Sequence, residues 1–283
     1  MKPRVAVFVC LLLLAAGGFA LAGGLPKIPS PSERWYRIDV QGRHAGWASE
    51  IVSDGPDRTG DFRRIDSELL AHVIWATDAD LTLKIGPDEL TAPQHYEIDF
   101  KQRIDSRIEY DAAGLRRSEF RIEDRAVKRR VLVERVGERY DVTVSTGRDT
   151  RKREVARSEF EATSNAIYEL PEKWTKEGDA VQLKVLDLAT GRILPRTFRL
   201  AGVEEVAVMG TPQRLRKFEV RDAEGSFTLW LDGTGLEARI LQETGDTTML
   251  YEQSGKKEAH DFKPPKLDLK PSDDHKATPQ NSV

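Results

Sequence analysis

Apolar residues recur at every second position along most of this chain, and that spacing restricts the fold more than any other feature. "RVLVERVGERYDVTV" places Val131 and Val133 before a turn near Gly137-Glu138, then Tyr140, Val142 and Val144 after it. "TLWLDGTGLEARIL" places Leu229 and Leu231 before Asp232-Gly233-Thr234-Gly235, then Leu236, Ala238 and Ile240. The same alternation runs through Phe62 to Trp75, His95 to Tyr110, Leu115 to Val127, Val181 to Leu186, Val203 to Val208 and Leu215 to Val220. Turn residues fall between the runs, among them Gly60-Asp61, Gly86-Pro87-Asp88, Gly191 and Gly210-Thr211-Pro212. Successive side chains of a strand point to opposite faces, so alternating runs joined by tight turns are antiparallel hairpins. The intervening positions are dense in Arg, Glu, Asp and Lys, which is how a solvated outer face reads. The expected fold is mainly β: a large curved antiparallel sheet or half-open barrel.

One segment breaks the alternation. "RSEFEATSNAIYELPEKW", Arg157 to Trp174, carries Phe160, Ile167, Tyr168 and Leu170, and Pro171 stops any helix beyond it. Thr163 or Ser164 suits a helix start. This spacing predicts one short helix, placed on the concave side where an open sheet needs cover.

The two ends differ from the body. Lys2 and Arg4 precede an apolar run from Val5 to Ala16, and Ala20-Leu21-Ala22 has the small-x-small form of a signal-peptidase site. The run is shorter than the ~20 residues a bilayer span needs. Residues 1–22 therefore read as a signal peptide, residues 23–32 as a flexible lead-in, 33–253 as a single β-rich domain and 254–283 as a disordered tail. The chain is expected to be periplasmic or extracellular after cleavage near Ala22.

Cleavage would also remove Cys10, the only cysteine, leaving no disulfide, thiolate metal site or cysteine nucleophile. It would remove two positive charges as well, moving the formal net charge from −3 to −5. That balance lacks the basic stripe of a nucleic-acid binder. The five histidines (His44, His72, His95, His260 and His275) share no metal-ligand spacing, and no HExxH, Gly-x-Ser-x-Gly, GxxxxGK[ST] or helix-opening GxGxxG occurs. No cofactor, metal or catalytic residue is expected, and the reading is non-enzymatic.

The mature chain opens on "ERWYRIDVQGRHAGWASEIV", two apolar-rich runs around a Gln41-to-Gly46 reversal. Gly42 and Gly46 are expected to supply φ > 0 there. Trp35, Ile38 and Val40 on one run and Trp47, Ala48 and Ile51 on the other are set to share a buried face or line a groove, with His44 solvated at the tip. Trp35, Trp47, Trp75, Tyr168 and Trp230 are the candidate ligand-binding aromatics.

"ERWYRIDVQGRHAGWASEIVSD" and the later "FEVRDAEGSFTLWLDGTGLEARIL" resemble the opening and closing parts of the β-rich domain that precedes transglutaminase-like cores in exported bacterial proteins. The overall plan is also similar to an uncharacterised family of exported β proteins and to lipoprotein-carrier folds, whose half-open barrels hold acyl chains. The second resemblance implies an apolar cavity for a lipid or similar small molecule. The first implies an accessory module for a separately encoded envelope enzyme, without catalysis, because the Cys-His-Asp machinery of that core has no counterpart in the mature chain. The expected function is to bind an apolar ligand or a protein partner in the concave face.

Overall fold

The computed structural model describes residues 28–57, 60–85, 88–124, 127–164, 176–223, 225–244 and 247–263. Residues 1–22, expected to be a signal peptide, Tyr168 and residues 264–283 lie outside the described residues. Among the described residues no helix is long and apolar enough to cross a membrane.

Fifteen strands form one sheet. β1 (Ser32–Val40) lies near its middle. On one side follow β2 (Arg43–Asp57), β3 (Gly60–Ile85), β4 (Asp88–Asp111), β5 (Gly114–Asp124), β6 (Lys128–Val136), β7 (Arg139–Thr146) and β8 (Asp149–Ala156). On the other lie β15 (Thr247–Ser254), β14 (Glu237–Thr244), β13 (Gly225–Leu231), β12 (Thr211–Asp222), β11 (Arg192–Val208), β10 (Ala180–Asp187) and β9 (Ala162–Thr163). Every neighbouring pair is antiparallel except β9 with β10. The first and last strands pair with each other, Trp35 opposite Ser254 and Val40 opposite Met249.

The two edge strands, β8 and β9, are consecutive in the chain and joined by residues 157–161. A link that short keeps the edges within about 20 Å of each other. The sheet therefore rolls up, although β8 and β9 do not pair and the roll stays open. Its two halves share one apolar cluster. Tyr36, Ile38, Ile65, Ile108, Phe120, Val131 and Val142 come from one half, and Val185, Phe198, Phe218, Val220, Leu229 and Tyr251 from the other. Each is almost fully buried. Burial of one such side chain contributes about 1.5–3 kcal/mol, so this shared interior is the main stabilising element.

The β10–β11 turn shows how tightly the halves meet. A Cβ at Gly191 would stand 2.7 Å from a methyl of Val142 and 3.2 Å from one of Val144. Phe160 packs edge-on against Tyr140, their centroids 5.4 Å apart. At this end of the roll the β10–β11 turn and the segment after β8 thus pack directly on β7.

Two expectations change, and a third falls outside the described residues. Arg157–Glu159 is a 3₁₀ turn and Ala162–Thr163 is β9, while the short helix expected after a Thr163 or Ser164 cap falls on residues 165–175, outside the described residues. The described α-helix is α1 (Lys256–His260), three residues past the expected end of the domain, and it packs on β1 and β2. At the first hairpin, Gln41 (φ 51°) and Gly42 (φ 72°) take the left-handed conformation that a tight reversal requires, and Gly46 does not. Gly46 is needed for space instead: a Cβ there would lie 1.9 Å from the carbonyl oxygen of Leu70.

Candidate functional site

Period two divides the opening hairpin into two faces. Arg34, Tyr36, Ile38 and Val40 point into the roll, and Trp35 points the other way. On β2, Ala48, Glu50 and Val52 point in, while Trp47, Ser49 and Ile51 point out. The expected shared face of Trp35, Ile38, Trp47 and Ala48 is therefore two faces.

On the outer face Trp35 and Trp47 stand with ring centroids 5.5 Å apart at 47°. α1 lies over them. The His260 ring is 4.6 Å from each indole, and the Lys256 ammonium is 4.9 Å from the centre of Trp35. Glu33 accepts the Trp35 indole N–H at 2.7 Å and pairs with Lys256 at 3.3 Å. The indole hydrogen bond and then Lys256 hold the Glu33 carboxyl below its usual range. His44, expected to be solvated, donates a 3.0 Å hydrogen bond from Nε2 to the carbonyl of Gly46 and lies 5.5 Å from the Phe262 ring.

A groove of about 360 Å³ adjoins this aromatic pair, running over the outer face of β2 to β5. Ser49, Ile51, Asp66, Glu68, Asp105, Arg107, Glu119 and Arg121 line it, with Ser67 and Ser106 between them. Its rim is continuous with the aromatic pair, because Ser49 is the cross-strand partner of Trp35 and Ile51 that of Glu33. Its charges pair along the sheet: Arg107 with Asp66 at 2.7 Å, Arg103 with Glu68 at 2.9 Å, and Arg121 and Arg130 with Glu119 at 2.9 Å. Burial pushes the Glu119 carboxyl up, but the hydrogen bonds from Arg130 and Arg121 outweigh it and hold the group below its usual value. Ile51 is 46% exposed within this polar surface.

The other aromatic candidates are scattered. Trp230 belongs to a second cluster with Val206, Val208, Leu215 and Ala238. Leu215 and Phe218, three positions apart on β12, face opposite ways, so this cluster is on the side away from the main interior. The Trp230 indole donates to Glu204, its ring is flanked by Lys217 and Arg239 at 5.4 Å, and it is 6% exposed. It is a packing residue. Trp75 is on β3, opposite Ile98 in register and remote from Trp35.

Sequence reasoning missed the buried charges. Arg34 joins Glu50 and, at 3.5 Å, Glu237, all inside the roll and at most 6% exposed. Next to Glu50 the inward row continues through Ser67 and Ser106, and Ser118 faces inward on β5. Oε2 of Glu50 and the hydroxyls of Ser106 and Ser118 have no hydrogen-bond partner among the described residues. A second triad lies across the roll: Arg196 binds Asp222 at 2.8 Å and Asp187 at 3.5 Å. The signal for the first triad was a charge in phase with apolar neighbours, Arg34 with Tyr36 and Glu50 with Ala48 and Val52. Among the described residues no group of three or more His, Cys, Asp or Glu is arranged to hold a metal.

No protein-family model matches the chain, and no curated protein matches it. Among solved structures it is similar to a β-barrel-like protein of the domain of unknown function DUF1849 from Brucella abortus, at 9% identity and a TM-score of 0.46, over 78% of this chain and 94% of that one. It is also similar to a DUF1089 family protein from Pseudomonas aeruginosa, at 15% identity and a TM-score of 0.32, over 68% of this chain and 87% of that one.

Proposed function

We propose that this chain is an exported, non-enzymatic binding module whose occupant is a polar segment of a partner protein seated in the groove over β2 to β5. One observation carries the reading: the groove lies on the accessible outer face of β2 to β5, where its paired charges and the half-exposed Ile51 are open to a partner. The groove's exposed ion pairs are individually worth less than about 1 kcal/mol, so a partner's charges can exchange with them at little cost and fix register and orientation. Exposed Ile51 supplies an apolar anchor among them. The resemblance to the accessory domain of transglutaminase-like proteins supports the same assignment, with catalysis residing in a separate envelope enzyme.

The test is site-specific photo-crosslinking in the native envelope. A cross-linker at Ile51 is expected to give one discrete protein adduct, which Asp105→Arg/Arg107→Glu abolishes. A cross-linker at exposed Val136, away from the groove, is expected to give none. Equal adducts at both positions would remove the assignment. A stoichiometric lipid in native mass spectra of the purified chain would return it to apolar-ligand binding.

A further inference from the structure

Trp35, Trp47 and Glu33 already hold a ligand of a kind, and that ligand is part of the same chain. The two rings open toward α1 at 47°, the Lys256 ammonium lies over one of them, and His260 sits against both. An ammonium group is attracted to the electron-rich face of an indole, and a carboxylate at the rim completes the charge complement. Glu33 occupies that rim, oriented by the indole N–H it accepts. Lys256 is thus held by a ring face and a carboxylate together, at 4.9 Å and 3.3 Å.

The hold is slight. α1 has five residues and no side-chain hydrogen bond at its N-cap, and its one buried residue is Ala259. A helix of this length draws its stability from packing and not from its own backbone. The side chains of Lys256 and Glu33 are 65% and 47% exposed, so solvent reaches the contact. The aromatic pair also continues directly into the groove through the Trp35–Ser49 and Glu33–Ile51 pairings.

We propose that Trp35, Trp47 and Glu33 form an ammonium clamp that takes a lysine side chain of the partner segment, and that α1 occupies the clamp in its absence. Lys256 and His260 act as an internal competitor. The identity of the occupant rests on the partner-binding reading above. The clamp does not, since it should bind a free ammonium group with no partner present.

The experiment uses the full chain with its indole N–H resonances followed by NMR, titrated with acetyl-Gly-Lys-Gly-amide and, in parallel, with the norleucine peptide of the same shape. The lysine peptide is expected to move the Trp35 and Trp47 signals saturably, leaving Trp230 still, and the norleucine peptide to leave all three unchanged. Lys256→Ala/His260→Ala is expected to tighten lysine-peptide binding about fivefold, because the Lys256 ammonium and the His260 ring no longer occupy the indole faces. Glu33→Gln is expected to weaken it a few-fold. Equal responses to the two peptides would overturn the clamp, as would an unchanged affinity in the double variant. A working clamp without an Ile51 adduct would refute the partner and keep the clamp; an adduct with an inert clamp would do the reverse.

Discussion

Among the described residues the roll contains two buried arginines, each facing two carboxylates, and they are not equivalent. Around Arg196 the spare carboxylate oxygens build backbone. Asp187 accepts the N–H groups of Ala189 and Thr190 and the Thr190 hydroxyl, closing the β10–β11 turn, and Asp222 accepts the N–H of Gly225 between β12 and β13. Around Arg34 no such use is made of Glu50, whose second oxygen faces the interior beside a row of serines. The same three charges are a staple in one place and a polar island in the other. Buried charge has to be paired with good geometry to repay its desolvation, and only the Arg196 group adds structure that apolar side chains could not replace.

The largest expected effect comes from taking each triad apart. Arg34→Met and Arg196→Met should each lower unfolding free energy by about 3–5 kcal/mol, because each strands buried carboxylates. Replacing all three members separates the cases. Arg34→Met/Glu50→Leu/Glu237→Met should return within about 1 kcal/mol of the parent, whereas Arg196→Met/Asp187→Leu/Asp222→Leu should stay at least about 2 kcal/mol below it, since the turn bonds are gone. Urea unfolding midpoints decide this, and equal recovery in both triples would erase the distinction.

A smaller effect is expected from two buried serines. Ser164 accepts the N–H of Leu188 at 3.2 Å, and Ser164→Ala should cost about 1 kcal/mol. Ser118 is fully buried with no partner for its hydroxyl among the described residues, so Ser118→Ala should be neutral or should stabilise by up to about 1 kcal/mol. Thermal midpoints moving in the same direction would contradict the contrast between the two regions.

The smallest effect belongs to the outer face. Arg130→Ala should cost only a few tenths of a kcal/mol, since its guanidinium is half exposed and solvent screens the pair. Glu119 has its folded pKa lowered, so the pairing contributes above the ordinary carboxylate range and is lost as pH falls through the folded value. The gap between parent and variant should therefore close as pH falls through the lowered folded pKa of Glu119, below the ordinary carboxylate range. A gap that persists there would assign the loss to packing of the arginine stem.

The strands were legible because the period-two signal is repeated and each hairpin carries its own turn residues. Val131 to Val144 and Leu229 to Ile240 form β6–β7 and β13–β14 as read. In the second, Asp232 accepts the N–H groups of Thr234 and Leu236, which explains the Asp-Gly-Thr-Gly turn. What periodicity cannot give is the identity of the inner face where both faces are covered. Trp35, Trp47 and Trp230 are shielded by α1 or by the β11–β12 hairpin from outside, so their size suggested an interior they do not enter. α1 itself was hidden in a polar stretch too short to show helical spacing. The buried triads were masked by a chain so rich in charge that one arginine in phase with Tyr36 and Ile38 drew no attention.

The pairing of β1 with β15 has a consequence for assembly. Almost every other contact between strands can form locally, hairpin by hairpin, as the chain lengthens. The seam between Trp35 and Ser254 cannot: it waits for the last strand to arrive. Until then the roll is two ribbons with bare edges, so the slow, sticky phase of folding should be concentrated at that late zippering step.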